Sequence, residues 1–566
     1  MLVEHKLKTL QELISTSTHD ELIWVNGYLN GILSKYETNG TPPVAKKTGV
    51  NKITIAYATE TGNSKRLATE FAAKAKKQGI NAKLQSLDQY RLNDLTKEEY
   101  FLAVIATHGD GEPPVTAKKF YDHIHQNGFK LSKLKYSILA LGDTSYPLFC
   151  KAGEDVDAQL NKLGGTRIAP LQKCDIDFEP GAEEWLSQVF KFLNESSEAP
   201  AVAAPAPATL KKSPGRKIYT GRLLANINLN DIGSLKQTNH IEIEAENVIY
   251  QPGDSIGIIP ENKKEVVDQI ISLTGIDPAK NIDYKDELIS VYDLIQKKLN
   301  IVHLPERVVK KYAAILNQEI PDTKIDLLDL LKIFPVKDEK EFTEILKILE
   351  PIAPRLYSIA SSPEAHPGEV HITVAKNCFM VNDELKYGLA SEFLSLLNED
   401  NELNFYVHPN HCFRLPEEDK SIIMIGPGTG IAPFRSFIAE RDATGASGKN
   451  WLFFGEQHFI TDFLYQTEIQ NWLETGVLTR VDTAFSRDQA EKIYVQHKMI
   501  QHGDEFFEWL QAGSQVYVCG AKEPMSIDVE QAVVKIIEQF GDRSKEEAQQ
   551  YLDNLKEDGR YVVDVY

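Results

Sequence analysis

The sequence has no run approaching the ~20 consecutive apolar residues that a bilayer-spanning helix needs. Its first stretch, MLVEHKLKTLQELISTSTHDELIW, interrupts the apolar positions with acids and lysines and has no signal-peptide core. Cysteine is scarce: Cys150, Cys174, Cys378, Cys412 and Cys519 are scattered, odd in number and nowhere in CxxC spacing. That pattern indicates neither a disulfide framework nor a cysteine-rich zinc site, and no metal is expected. Basic charge is also in deficit: Lys plus Arg is 62 against 82 Asp plus Glu, a formal net charge of −20. A nucleic-acid binder needs a basic face to displace counterions, so that class is disfavoured, as is docking on an anionic lipid surface. The balance suits a basic partner met by electrostatic steering. Hydrophobic content of 42% and charged content of 25% are those of globular protein, which excludes global disorder. A soluble, multidomain, cytoplasmic protein is expected.

A length of 566 residues predicts several domains. Residues 1–36 carry Leu7, Leu10, Leu13, Ile14, Leu22, Ile23, Val25, Leu29, Ile32 and Leu33 at helical spacing, predicting two short helices too small to bury a core alone. Residues 37–50 read as a linker. The Ala/Pro-rich stretch 196–215, SSEAPAVAAPAPATLKKSPG, reads as an extended, semi-flexible tether. Between them, over 51–195, the apolar runs 52–58, 100–107 and 136–142 alternate with helical patterns at 64–78, 115–127 and 152–164, predicting a parallel doubly wound α/β sheet. Residues 216–260 and 351–420 carry strand alternation and predict an antiparallel β domain. Residues 261–350 switch to helical spacing and read as an insertion. From 421 to 566 a second βα alternation runs to the end.

Three loops follow the first set of strands. Thr59-Glu60-Thr61-Gly62-Asn63-Ser64 opens a helix, where backbone N–H groups, hydroxyls and an amide can cradle a phosphate dianion. These six residues alone are equally compatible with a plain helix cap. Neither a Gly-Lys-Ser/Thr loop nor GxGxxG is present there. The loops beginning Ala106-Thr107-His108-Gly109 and Leu141-Gly142-Asp143-Thr144-Ser145-Tyr146, the latter running on to Phe149 and Cys150, leave the same sheet edge, where open α/β sheets bind ligands. They suit a planar ring, with Tyr146 available for stacking. Farther on, Arg355-Leu356-Tyr357-Ser358 is followed by Thr373-Val374-Ala375 and by Gly388-Leu389-Ala390-Ser391 opening a helix. Gly426-Pro427-Gly428-Thr429-Gly430 is a strand-to-helix turn. Ser486, Arg487 and Lys492, near Ile493, Tyr494, Val495 and Gln496, offer two cations and a hydroxyl of the kind a 2′-phosphate needs, or else form a solvated charged face. Val516-Tyr517-Val518-Cys519-Gly520 is a further strand ending at a ligand edge, with Asp528 in the next helix.

The first set of loops resembles flavodoxin, which implies an FMN phosphate on 59–64 and its ring between the other two loops. RLYS, with its companions TVA and GLAS, resembles the FAD signature of the ferredoxin–NADP reductase superfamily, and SRDQAEKIYVQ resembles that superfamily's NADPH 2′-phosphate site. In this order the segments look like a diflavin reductase: a flavodoxin-like domain, a tether, an FAD-binding β-barrel with a helical insertion, and an NADPH-binding α/β domain. Within that group the chain resembles the sulfite-reductase flavoproteins, through Trp24-Val25-Asn26-Gly27-Tyr28, GKNWLFFG at 448–455, DFLYQ at 462–466 and the ending Arg560 to Tyr566.

The resemblance implies the cofactors FAD, FMN and NADPH, and a sirohaem, iron–sulfur hemoprotein partner that reduces sulfite to sulfide. A free-standing diflavin reductase serving another haem or iron–sulfur acceptor is the alternative. The resemblance also implies that Tyr566 covers the flavin ring and that Ser358, Cys519 and Asp564 surround the hydride-transfer site. For Cys519 a buried strand cysteine is an equal reading. The N-terminal segment resembles the part used for self-association, so a homo-oligomer is expected. Ala521 stands where relatives have Asp, and His108 where they often have Gln. Residues 151–200 hold ten acids and five bases, among them Asp175, Asp177, Glu179, Glu183 and Glu184. They could form an acidic rim for docking or simply maintain solubility.

Overall fold

The structure, a computed structural model, describes residues 50, 52–59, 62–109, 111–126, 128–144, 146–195, 217–285, 287–321, 325–381 and 384–566. The expected helices of 1–36, the linker 37–50 apart from Val50, the tether 196–215, and Glu60, Thr61 and Ser145 lie outside the described residues.

The first module contains β1 (Lys52–Ala58), α1 (Asn63–Lys77), β2 (Asn81–Ser86), β3 (Tyr100–Ala106), α2 (Lys118–Gln126), β4 (Lys135–Leu141), α3 (Lys151–Lys162), β5 (Thr166–Arg167), β6 (Gln172–Cys174) and α4 (Glu179–Glu195). The strand order is β2-β1-β3-β4-β5 with β6 beside β4, and every pairing is parallel. In β3 and β4 nearly every residue is buried, because helices cover both faces of the sheet. β2 is the exception: NAKLQS is an edge strand largely open to solvent, and its polar sequence carries little strand signal.

The second module begins with β7 (Tyr219–Asn228), β8 (Thr238–Glu244) and β9 (Ser255–Ile258). The helical insertion follows: α5 (Lys264–Thr274), the hairpin β10 (Asn281–Tyr284) and β11 (Glu287–Ser290), α6 (Val291–Lys297), α7 (Glu306–Leu316), α8 (Leu327–Ile333) and α9 (Glu339–Ile348). These helices bury their own apolar core around Tyr312 and Phe342. The chain then returns through β12 (Arg355–Ser358), β13 (Glu369–Ala375), the hairpin β14 (Cys378–Val381) and β15 (Glu384–Tyr387), α10 (Leu389–Ser395) and β16 (Glu402–His408). The antiparallel order is β12-β9-β16-β7-β8-β13, and the Ile359–Ile372 bridge joins its two ends into a barrel.

The third module comprises β17 (Ile422–Ile425), α11 (Ala432–Thr444), β18 (Asn450–Glu456), α12 (Phe459–Asp462), α13 (Gln466–Thr475), β19 (Arg480–Phe485), α14 (Val495–Gln501), α15 (Gly503–Gln511), β20 (Gln515–Gly520), α16 (Ile527–Phe540), α17 (Lys545–Glu557) and β21 (Tyr561–Val565). The parallel order β19-β18-β17-β20-β21 places β21, and with it the chain's last residues, next to β20. Among the described residues no helix is long and apolar enough to cross a membrane.

Candidate functional site

The barrel and the third module meet where β12, β20, β21 and the turn after β17 end together. Cys519 and Asp564 are register partners on β20 and β21. Asp564 Oδ2 accepts from the Ser358 hydroxyl at 3.2 Å, and Oδ1 accepts from Asn410 Nδ2 at 3.3 Å, so barrel residues hold a carboxylate of the third module. Burial pushes the Asp564 carboxyl up from its ordinary value, and the Ser358 hydrogen bond pulls it partly back. Cys519 is fully buried, and burial together with the Asp564 charge drives its thiol well up, so it stays protonated and unreactive. Tyr566 is 65% exposed; its hydroxyl lies 2.6 Å from Thr429 Oγ1, and its backbone N–H donates to Gly520 O at 3.1 Å. The geometry therefore gathers Ser358, Cys519, Asp564 and Tyr566 around one mouth.

The turn after β17 can approach this closely only because glycine stands at its closest point to β20. A Cβ on Gly430 would stand 2.2 Å from the Cys519 carbonyl oxygen, and Gly428 has φ +58°, which favours glycine. Such a turn presents backbone to a ligand.

Along β12, Arg355 and Leu356 are exposed while Tyr357 and Ser358 are half-buried. Arg355 bonds its neighbour's carbonyl, Pro354 O, at 3.2 Å and makes no ion pair among the described residues, which leaves its charge available to a pyrophosphate. Burial pushes the Tyr357 phenol up to about 12, with Arg355 opposing. Gly388 precedes α10, which begins with Leu389 and Ala390. Ser391 Oγ is occupied locally, donating to Gly388 O at 3.0 Å and accepting from Asn377 N at 3.1 Å. Thr373 and Val374 do not face this strip: Thr373 Oγ1 lies 2.6 Å from the Tyr465 hydroxyl and Val374 packs in the barrel core, while Ala375 is exposed.

In the first module Gly62 has φ +87° and its N–H donates to Thr59 Oγ1 at 2.8 Å, just ahead of Asn63 and α1. The Ser64 hydroxyl is buried without a hydrogen-bond partner among the described residues, as expected where a phosphate supplies one. The second loop folds back on itself through paired His108–Glu112 backbone bonds of 2.8 Å, with Gly109 at φ +50°. Thr107 Oγ1 accepts from Ala152 N at 3.3 Å. In the third loop Thr144 N donates to Asp175 Oδ1 at 3.1 Å, Tyr146 N donates to Asp143 O at 3.1 Å, and the Tyr146 hydroxyl donates to Pro354 O at 3.3 Å, reaching the barrel. Ala106, Gly142 and Phe149 are half-buried there, and Leu141 is core. Cys150 points inward: it is fully buried, its thiol donates to Ala140 O at 3.3 Å, and burial raises its pKa.

At the outer end of β19, Arg487 and Lys492 are exposed and carry no ion pair among the described residues. Ser486 N and Arg487 N donate to Glu456 O and Gln457 O at 2.9 Å each, which ties this loop to the end of β18. Tyr494 is exposed, Gln496 Nε2 donates to Asp528 Oδ2 at 3.2 Å, and Ile493 and Val495 belong to the module's core. Two exposed cations without an ion pair among the described residues fit a phosphate dianion, while the Ser486 hydroxyl is buried and donates to Glu456 O at 3.3 Å.

Two residues escaped the sequence reading. Lys236, from the barrel, bonds both Glu456 oxygens at 2.7 Å, beside Gly428. Asn410 supports Asp564, as described above. Neither sits in a motif, and only the meeting of distant segments reveals them. The acidic rim is smaller than its sequence suggests. Arg66 pairs with Glu179 at 2.6 Å, Lys74 with Glu183, and Asp175 with Thr144, whereas Asp177 and Glu184 are exposed.

The flavodoxin family model matches residues 55–186, the FAD binding domain model 310–393, and the oxidoreductase NAD-binding domain model 424–531. The whole chain is 40% identical to the sulfite reductase [NADPH] flavoprotein alpha-component of Bacillus subtilis (strain 168), covering 98% of that protein. It is 37% identical to the same component of Vibrio parahaemolyticus, covering 95%, and 37% identical to that of Shewanella sp. (strain MR-7), covering 98%. Three matched domain models in one order and full-length likeness place this chain in the family of NADPH sulfite reductase flavoprotein alpha-components, as an NADPH-dependent oxidoreductase using FAD and FMN.

Proposed function

We propose that this chain takes hydride from NADPH at the Ser358–Asp564 mouth and hands electrons, through its first module, to a sirohaem, iron–sulfur hemoprotein that reduces sulfite. When bound, FAD accepts a hydride from the nicotinamide and FMN releases the electrons singly, which matches a two-electron donor to a one-electron acceptor. The chain's own residues set the stage for that exchange. Asp564 places negative charge where the nicotinamide becomes positive, and the Ser358 hydroxyl, 3.2 Å away, holds that carboxylate in place. Tyr566 covers the mouth and must leave its Thr429 contact to admit the nicotinamide. Arg355 would hold pyrophosphate, and Arg487 with Lys492 would select the 2′-phosphate.

The observation that carries the reading is the Ser358–Asp564 contact, because it joins the FAD-side strip to the NADPH-side sheet at their common edge. Exposed Asp177 and Glu184 supply negative charge on the first module for a basic partner face. Self-association through residues 1–36 and residence in the cytoplasm belong to the same proposal; all five cysteines are free, in keeping with a reducing compartment. The test is a pull-down of the tagged chain from its host, followed by anaerobic NADPH and sulfite. A co-purifying haem protein and NADPH-dependent sulfide are expected. Flavin bleaching without sulfide, even with the sirohaem protein added, would mean that the acceptor is a different carrier.

A further inference from the structure

The seam between the barrel and the third module contains a buried polar cluster that the proposed chemistry does not use. His240, Glu242 and His371 bring ligand-type atoms within 4.8 Å of one another. A cation site is disfavoured there, because every ring nitrogen is already engaged. His240 Nε2 lies 3.1 Å from Glu242, and its Nδ1 lies 3.0 Å from the Tyr465 hydroxyl. His371 Nε2 lies 2.8 Å from Glu369, and its Nδ1 lies 3.1 Å from the guanidinium of Arg435. Arg435 can only donate, so His371 Nδ1 accepts and its proton sits on Nε2, facing Glu369. Burial, reinforced by the Arg435 charge, holds His240 down at about 3 and His371 at about 2, so both rings are neutral.

Arg435 is itself 6% exposed and uses its whole fork. Nη1 donates to Ala360 O at 2.8 Å, while Nε and Nη2 reach Glu468 at 2.7 and 3.2 Å. The guanidinium also lies 5.1 Å from the centroid of the Tyr465 ring. The next residue of α11, Ser436, donates to Ser361 O at 2.5 Å, and Ser362 donates to Glu440 on the same helix at 2.6 Å. Thus three successive barrel residues, 360 to 362, are fastened to one helix. That barrel segment follows directly on Ser358, and that helix follows directly on the turn bearing Thr429.

We propose that Arg435 is a positioning residue for hydride transfer: it sets the distance between the Gly-rich turn of the third module and the strand carrying Ser358. The inference rests on the reading of the mouth as a hydride site. Binding of NADPH through Arg487 and Lys492 lies elsewhere and is independent of the clamp. A displacement of about 1 Å between reacting groups can cost on the order of 100-fold in rate, so a clamp this close to Ser358 governs kcat more than KM. Lysine cannot replace it, since a single ammonium cannot reach the Glu468 carboxylate, the Ala360 carbonyl and the His371 ring together.

The experiment uses the full-length flavoprotein with Arg435→Lys and Arg435→Met. Two readings are taken: anaerobic flavin bleaching by NADPH, and hydrogen exchange on the full chain without NADPH. Both variants should lower the saturating bleaching rate by about 10-fold or more, with the NADPH concentration dependence shifted by less than about 3-fold. Exchange should quicken around 359–372 and 432–440, while the first module and the helical insertion keep their protection. Unchanged bleaching in both variants, a change confined to KM, or loss of protection throughout the barrel would overturn the proposal. Failure of the unmodified protein to bleach with NADPH would instead refute the hydride-site reading on which it rests.

Discussion

Ser358 Oγ donates to Asp564 Oδ2 at 3.2 Å, linking the last residue of β12 to the penultimate residue of β21 across the barrel–sheet seam. The folded structure raises the Asp564 carboxyl above its ordinary 3.8, chiefly by burial, so ionised Asp564 opposes folding at neutral pH. The stabilising contribution of the protonated form is complete below the unfolded pKa and disappears as pH rises through the folded one. Asp564→Asn should therefore slow flavin bleaching by NADPH roughly 10-fold to 100-fold, yet leave Tm at pH 7 unchanged or higher. In the unmodified enzyme the rate should fall as pH drops through the raised pKa, and in the variant that limb should vanish. A variant with a lowered Tm and a normal rate would remove Asp564 from the hydride site.

Tyr566 closes the mouth through one hydroxyl contact with Thr429 while 65% of the residue stays exposed. Its removal costs little packing, so Tyr566→Ala should keep Tm within about 1 °C of the parent. On the proposed reading the nicotinamide then has no ring to displace, and NADP+ should bind about 10-fold tighter in a direct titration, a gain of about 1.4 kcal/mol. Unaltered binding would show that Tyr566 does not compete with the nicotinamide.

Arg487 and Lys492 lie exposed and without an ion pair among the described residues. The double variant Arg487→Ala, Lys492→Ala should raise KM for NADPH by about 100-fold, from charge-assisted hydrogen bonds of about 1.5–3 kcal/mol each, with kcat and NADH use unchanged. Added salt should weaken NADPH binding in the parent and have less effect on the variant. Steady-state kinetics with both nucleotides check this. An equal loss with NADH would place the two cations elsewhere on the nucleotide.

Cys412 Sγ stands 2.8 Å from where a Gly62 Cβ would be, so the barrel rests against the start of α1 in the first module. His411 Nε2 lies 3.8 Å from Glu179, and Tyr146 reaches Pro354, in the same docking face. Cys412→Trp has no room in this arrangement and should block transfer between the modules. Ferricyanide reduction directly from the FAD side should survive, whereas cytochrome c reduction through the FMN side should drop by about 10-fold or more. Equal retention of both would show that transfer does not use this docked face.

The helix start at Asn63, the RLYS strand and the Gly-rich turn at 426–430 were legible as local elements because each is written in contiguous residues, and contiguity survives in sequence. Strands β3 and β4 were legible because burial on both faces leaves an unbroken apolar run. β2 was not, since an edge strand written NAKLQS has no such run. Lys236 and Asn410 were invisible for another reason: each acts across a seam on a residue more than 150 positions away, and neither composition nor spacing encodes that meeting. Cys150 shows the converse, a residue inside a recognisable loop whose side chain turns into the core. The acidic rim shrank because a sequence counts carboxylates without showing that Arg66 and Lys74 already neutralise two of them.

The central claim is a route for electrons that enters at the third module and leaves from the first. It is tested most directly by flavin analysis of the purified chain followed by anaerobic NADPH titration. Equal amounts of FAD and FMN are expected, both bleached by NADPH, with FMN bleaching slowed selectively, by about 10-fold or more, in Cys412→Trp while FAD is reduced at the parent rate. A chain that binds a single flavin, or one whose flavins stay oxidised under excess NADPH, would contradict the account.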